Sequence, residues 1–217
     1  MNNPKHNLVV LFMMLWWGVA GLVYGQPIPS LSSGQTVERT LKGDEVHRYQ
    51  LTLAAGSYVN LTVVSQDATN DVMLQDSKQQ TVAQSRAGYD TQDFPELAFV
   101  APATDNYQLI VQGLGKATET GKYKLEIKVL RLATEQDRAY AKAHQLMQVG
   151  LVQVRLRTAE GRQQALAKFQ EAIPHWRASG SLSPELEALR MIADTRFVRG
   201  EYRPALEAAQ EVLTKAQ

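Results

Sequence analysis

The chain has 217 residues, enough for one or two domains with cores of their own. Its 44% hydrophobic and 21% charged content describes a folded protein, and a net charge of +1 gives no electrostatic case for nucleic acid or an anionic membrane surface. Cysteine is absent, which excludes disulfides, thiolate catalysis and cysteine-ligated metals.

At the start of the chain, Lys5 and His6 precede sixteen uncharged residues, Leu8 to Val23. That run is shorter than the ~20 residues that span a bilayer. With Val23-Tyr24-Gly25 at its end, it reads as a secretory signal over residues 1–25, cleaved before Gln26. An exported chain without cysteine fits a bacterial periplasmic or secreted protein, with no membrane association after cleavage.

Residues 26–129 carry strand patterns. Val46 to Leu53 places His47, Tyr49, Leu51 and Leu53 on one face. Ser57 to Val63 turns Val59, Leu61 and Val63 inward and Tyr58, Asn60 and Thr62 outward. Short strands are expected at Asp71–Leu74, Thr81–Ala83, Leu97–Phe99 and Tyr107–Val111. Tyr123, Leu125, Ile127 and Val129 then share a face in the last strand. Turn residues separate these runs, as at Lys42-Gly43-Asp44 and Ala103 to Asn106. Seven or eight half-buried strands imply an antiparallel sandwich of about 100 residues.

From Thr134 the apolar period becomes helical. A first helix is expected over Thr134–Leu156 with Thr134 as N-cap, and a second over Arg162–Trp176, followed by a loop to Ser183. A third is capped by Ser183 with Pro184 at its first position, burying Leu186, Leu189, Ile192, Ala193 and Phe197. A fourth starts near Pro204 and buries Ala205, Leu206, Ala209, Val212 and Leu213. Ala165-Leu-Ala-Lys-Phe-Gln-Glu-Ala-Ile aligns with Ala205-Leu-Glu-Ala-Ala-Gln-Glu-Val-Leu at an offset of 40 residues, an internal repeat of a helix pair. A helix pair does not cover its own apolar faces. The sandwich is expected to cover one end, with Leu130 and Leu132 packed at the junction, and an apolar face is expected to stay exposed on the fourth helix. The fold class is multi-domain, an all-β sandwich over 26–129 and an all-α hairpin array over 130–217.

Two resemblances follow from these residues. Leu41 to Val59, Asn70-Asp-Val, Phe99-Val-Ala-Pro, Asn106-Tyr-Gln-Leu and Gly121-Lys-Tyr-Lys-Leu resemble the bacterial pre-peptidase C-terminal domain, which implies a jelly-roll-like sandwich of exported proteins. Where that family has Gly-x-Tyr, this chain has Asp105-Asn106-Tyr107, residues that tolerate the left-handed backbone of a glycine. The helical half resembles tetratricopeptide repeats; the family's usual first-helix glycine falls at Gln153 and Ala193. The order of the two halves resembles the front of bacterial proteins that end in a caspase-like CHAT protease domain, which implies a regulatory portion of a larger enzyme as one reading.

No catalytic constellation is visible: there is no Gly-x-Ser-x-Gly elbow, His-Glu-x-x-His motif or phosphate loop, so no catalytic, cofactor-binding or metal residue is assigned. Asp67, Asp71 and Asp76 match no calcium loop, and Asp71 reads as a turn carboxylate. Tyr58 and Tyr89 are the aromatics left free to stack on a sugar, and Asn60-Leu-Thr is a sequon on an outward strand face. The expected function is a non-catalytic scaffold that binds a protein or peptide through the helices, with Gln145, Gln148, Arg190 and Asp194 as the reading face. A glycan- or calcium-binding sandwich is a further alternative.

Overall fold

A computed structural model describes residues 28–66, 70–86 and 96–216. The expected signal segment, Asp67 and Tyr89 lie outside the described residues. Eight strands come first: β1 Thr36–Lys42, β2 Val46–Leu53, β3 Ser57–Gln66, β4 Asn70–Gln75, β5 Thr81–Arg86, β6 Glu96–Val100, β7 Asp105–Gly113 and β8 Thr120–Leu132. They form two four-stranded antiparallel sheets, ordered β1-β8-β3-β6 and β2-β7-β4-β5. The expected inward sets close one core between them: Tyr49, Leu51 and Leu53 with Val59, Leu61 and Val63, and Leu109 and Val111 with Leu125 and Ile127. Strand β1 is absent from the sequence reading. Only Leu41 of its seven residues is fully buried, so its pattern is weak; pairing with β8 from Thr36↔Glu126 to Lys42↔Thr120 makes it a strand.

The outer face of the first sheet departs from expectation. Tyr58, Asn60 and Thr62 point away from the sandwich core, yet all three are buried. A helix packs against Tyr58 and reaches Asn60 through Glu96, so Tyr58 is not a free aromatic and Asn60 is not on an outward solvent face. The β3–β8 ladder is shifted at Asn60/Leu61, where Asn60 meets Val129 and Leu61 meets Ile127. This bulge inverts the alternation of β8 beyond Ile127. Leu130 therefore packs on the sandwich core, while Val129 joins the second cluster on the outer face. Leu132, expected at the junction, is 72% exposed.

Two loop expectations also change. Asp71 lies within β4, and it is Asp76 that accepts the Lys78 and Gln80 amides, at 3.0 and 2.8 Å. Asp105 and Asn106 begin β7 without left-handed backbone; Asp105 accepts instead from the Ser77 hydroxyl at 2.8 Å.

Four helices follow: α1 Glu135–Arg155, α2 Ala159–Ser179, α3 Leu182–Val198 and α4 Tyr202–Lys215. Thr134 caps α1 as expected, in a reciprocal capping box with Asp137. Helix α2 runs one turn further at each end than its apolar pattern, from the Thr158 cap to Gly180, whose φ of 72° ends it. Helix α3 then starts at Leu182 rather than after Ser183. Pro184 sits within its first turn, where a missing N–H leaves no carbonyl unserved. Helix α1 packs on β5, β6 and α2, α2 on α1 and α3, and α3 on α4. At Gly150 of α1 the Phe169 ring of α2 comes so close that an added Cβ would overlap it. The expected exposed face on α4 is present, and its membership corrects the burial of Phe197, Leu206 and Leu213, which lie open beside Tyr202. Among the described residues no helix is long and apolar enough to cross a membrane.

Candidate functional site

The seam between sandwich and helices is built on Glu96, at the start of β6. The Tyr140 hydroxyl of α1 donates to its two carboxylate oxygens, at 2.9 and 3.0 Å. The Asn60 amide of β3 donates to the same carboxylate and to the Tyr58 hydroxyl. The Tyr140 ring stacks edge-on against Trp176 of α2, with centroids 4.9 Å apart. One side chain thus ties a sheet to two helices. Burial and the neighbouring Glu96 carboxylate push the Tyr140 phenol well above its ordinary pKa, and burial pushes Tyr58 to about 12. His144, one turn along α1, is buried. Burial holds its pKa below the ordinary value, although Glu96 and its backbone favour the charged ring. Below the seam, Arg131 pairs bidentately with Asp137, at 2.5 and 3.1 Å. Burial raises the Asp137 carboxyl, but the hydrogen bonds from Arg131 and Thr134 outweigh it and hold the group below the usual range.

These contacts fix a groove of about 490 Å³ between α1 and the strands β5 and β6. Thr81, Val82, Ala83 and Gln84 line it from β5, and Ala98, Phe99 and Val100 from β6. Side chains of a strand alternate between its faces, so consecutive lining residues mean that the groove runs along the strand edges. Each of these strands has a ladder partner on one side only among the described residues: β5 pairs with β4, and β6 with β3. The opposite wall is α1, with Ala141 and Val149 as apolar surface and Arg138, Lys142, Gln145 and Gln148 as polar groups.

The structure brings Gln145 and Gln148 together in this groove. Arg190 and Asp194 lie elsewhere, on α3, in a 2.8 Å ion pair that continues to Glu187 at 2.6 Å. Helices α1 and α3 both pack on α2. The sequence reading did not single out Glu96 or Tyr140, and it placed His144 on the first helix beside Gln145 without a role. Glu96 falls on the strand face that parity assigns to solvent, and the docking of α1 that gathers the three is not a local signal.

A second concavity, of about 650 Å³, lies on the outer face of the other sheet. Gln50, Gln108 and Gln75 stand in direct cross-strand register on β2, β7 and β4, with Arg48, Ile110 and Met73 in the next row. Inside the sandwich, a buried chain links His47 Nδ1 to the Tyr123 hydroxyl at 2.7 Å and that hydroxyl to Tyr49. Among the described residues no group of three His, Asp or Glu side chains is placed to hold a metal.

No family model matches the sequence, and comparison with curated proteins gives no match. Solved structures resemble about half of the chain. The pre-peptidase C-terminal domain of a Bacillus anthracis collagenase is 19% identical over 48% of this chain and 98% of that one, with a TM-score of 0.39. The Aeromonas hydrophila protein PliG, a periplasmic inhibitor of g-type lysozyme, is 10% identical over 46% and 96%, with a TM-score of 0.36. CorA, a surface-associated copper-binding protein of Methylomicrobium album BG8, is 10% identical over 46% and 96%, with a TM-score of 0.34. The protein is thus an antiparallel two-sheet β unit followed by four helices, with an edge-lined groove where the two meet.

Proposed function

We propose that the protein is an exported, non-catalytic interaction protein of a bacterial envelope, and that it holds an extended segment of a partner protein in the groove between β5, β6 and α1. The run of consecutive lining residues on both strands supports this most, because it offers backbone donors and acceptors to a strand-like ligand. Alternate ligand side chains rest on Phe99, Val100 and Val149, and Gln145 and Gln148 pair with its polar groups. Arg138 and Lys142 favour a segment carrying a carboxylate. In this reading the β unit is a pre-peptidase-like module, and α1–α2 and α3–α4 are tetratricopeptide-like pairs, supported by the 40-residue correspondence of α2 and α4. Export rests on the uncharged run from Leu8 to Val23.

The test screens the full-length chain against an array of extended peptides, acidic and neutral, then measures hydrogen exchange with the best binder. Exchange slows at Thr81–Gln84 and Ala98–Val100. Gln145→Trp, which fills the groove, weakens binding by about tenfold or more, close to 1.4 kcal/mol, and Arg190→Ala leaves it unchanged. Binding indifferent to Gln145→Trp refutes the groove; loss with Arg190→Ala moves the site to α3.

The amide row Gln50–Gln108–Gln75 favours a second reading, a glycan-binding sheet face, since uncharged amides both donate to and accept from hydroxyls. Retardation of the chain in polysaccharide gels, lost in Gln108→Ala, supports it; equal mobility of the two proteins in every gel rejects it.

A further inference from the structure

We infer that α4 is the contact between two copies of this chain, packed antiparallel about a two-fold axis near Ala209. The internal repeat supplies the first argument. Leu166 and Ile173 of α2 are buried, because α2 lies between α1 and α3. Their counterparts 40 residues on, Leu206 and Leu213, are open, because α4 packs mainly on α3 and meets α2 through the Arg177–Glu211 ion pair. Phe197, Val198 and Tyr202 extend the open face, and all five side chains are between 59% and 66% exposed. Phe197 and Tyr202 already stack edge-on, at 5.5 Å, and hold one end of the face in place.

The spacing supplies the second argument. Tyr202, Leu206, Ala209, Leu213 and Ala216 follow each other at intervals of four, three, four and three. That is the seam of a helix–helix contact. The order of sizes is self-complementary when the seam is reversed. Ala209, half-covered by its own chain, stands beside the two-fold point, where its small side chain lets the backbones approach; Leu206 meets Leu213; Tyr202 meets Ala216. Gln210 flanks the two-fold point, where its amide meets its own counterpart as both donor and acceptor. No charged side chain lies in the seam itself.

The third argument is size. The five exposed side chains leave roughly 500 Å² open, near the upper limit for the largest apolar patch of a monomer. With Arg203, Glu207 and Gln210 as rim, the face approaches the about 800 Å² per partner of a standard interface.

Light scattering on the full-length chain over a concentration series tests this. The mass rises towards twice that of the chain, and the double substitution Leu206→Glu, Leu213→Glu holds it at the monomer value with an unchanged far-ultraviolet circular dichroism spectrum. Because the chain has no cysteine, a single introduced thiol reports geometry. Gln210→Cys cross-links into a covalent dimer on oxidation, and Glu207→Cys, on the same flank of α4 but further around the helix from the seam, does not. A chain that stays monomeric at every concentration overturns the inference, including one that captures a helix of another protein on this face. Association that survives the double glutamate variant overturns it too, as does equal cross-linking at the two positions.

Discussion

Tyr140→Phe is the most direct test of the seam. The substitution keeps the ring against Trp176 and deletes only the hydroxyl that donates to Glu96. A hydrogen bond to a charged group contributes about 1.5–3 kcal/mol. Glu96 is half-buried and keeps its bond from Asn60, and water reaches its edge, so the expected loss is about 1–2 kcal/mol. Tyr140→Ala also removes the edge-on ring contact and opens a cavity, for about 3–4 kcal/mol. Urea unfolding is followed by far-ultraviolet circular dichroism and by tryptophan fluorescence, with Trp176 as reporter in α2. Both midpoints fall together if Tyr140 couples the sandwich to the helices. Tyr202→Phe, exposed on α4, is the matched control and changes neither. A Tyr140→Phe protein within about 0.5 kcal/mol of the parent, or a shift confined to one probe, refutes the claim that this side chain joins the two halves.

Other expectations follow from single contacts. His144 has a folded pKa below its unfolded value, so its contribution is fully present above about pH 6.5 and is lost as pH falls towards the folded value. His144→Gln therefore flattens the stability slope between about pH 7 and 5.5, and an unchanged slope contradicts the assignment. Gly150→Ala gains about 1 kcal/mol of helix propensity but drives a methyl into the Phe169 ring. A net loss of about 1–2 kcal/mol in urea unfolding is expected, less when combined with Phe169→Leu, and a stabilised Gly150→Ala protein refutes the close approach. Glu185, 5% exposed on α3, binds Arg177 of α2 at 2.7 Å and Lys215 of α4 at 3.1 Å. Burial raises its carboxyl, and the two cations more than offset this, so its folded pKa is lowered. That stability is present above the unfolded value and is lost as pH falls through the folded one. Glu185→Gln costs about 1–2 kcal/mol at neutral pH, because both cations are partly solvated, and the deficit shrinks in acid; a deficit constant down to about pH 3 argues against the triad.

Much of the architecture was legible because its signals are local. Alternation of apolar residues marks a strand with one wet face, and Val59, Leu61 and Val63 were placed correctly by it. The Thr134 cap and the 40-residue echo of α2 in α4 are also local, needing only a hydroxyl before an apolar period and a repeated spacing. The candidate site was legible only in part. Gln145 and Gln148 share a groove, but their proximity to β5 and β6 depends on how α1 docks, which no window of sequence reports.

The sequence by itself determined the types and order of the elements other than β1, and which side of those strands meets the sandwich core up to Ile127 of β8, because these follow from backbone geometry and the period of apolar side chains. The tertiary structure decided what the other sides meet. Parity assigns Tyr58 and Asn60 to solvent, and the docking of α1 buries them; one bulge at Asn60/Leu61 exchanges the roles of Val129 and Leu130. Leu166 and Leu206 occupy equivalent helical positions, and only the number of neighbouring helices makes one buried and the other open. Burial is a property of the neighbour as much as of the residue, and the neighbour is set by packing over distances that local pattern does not encode.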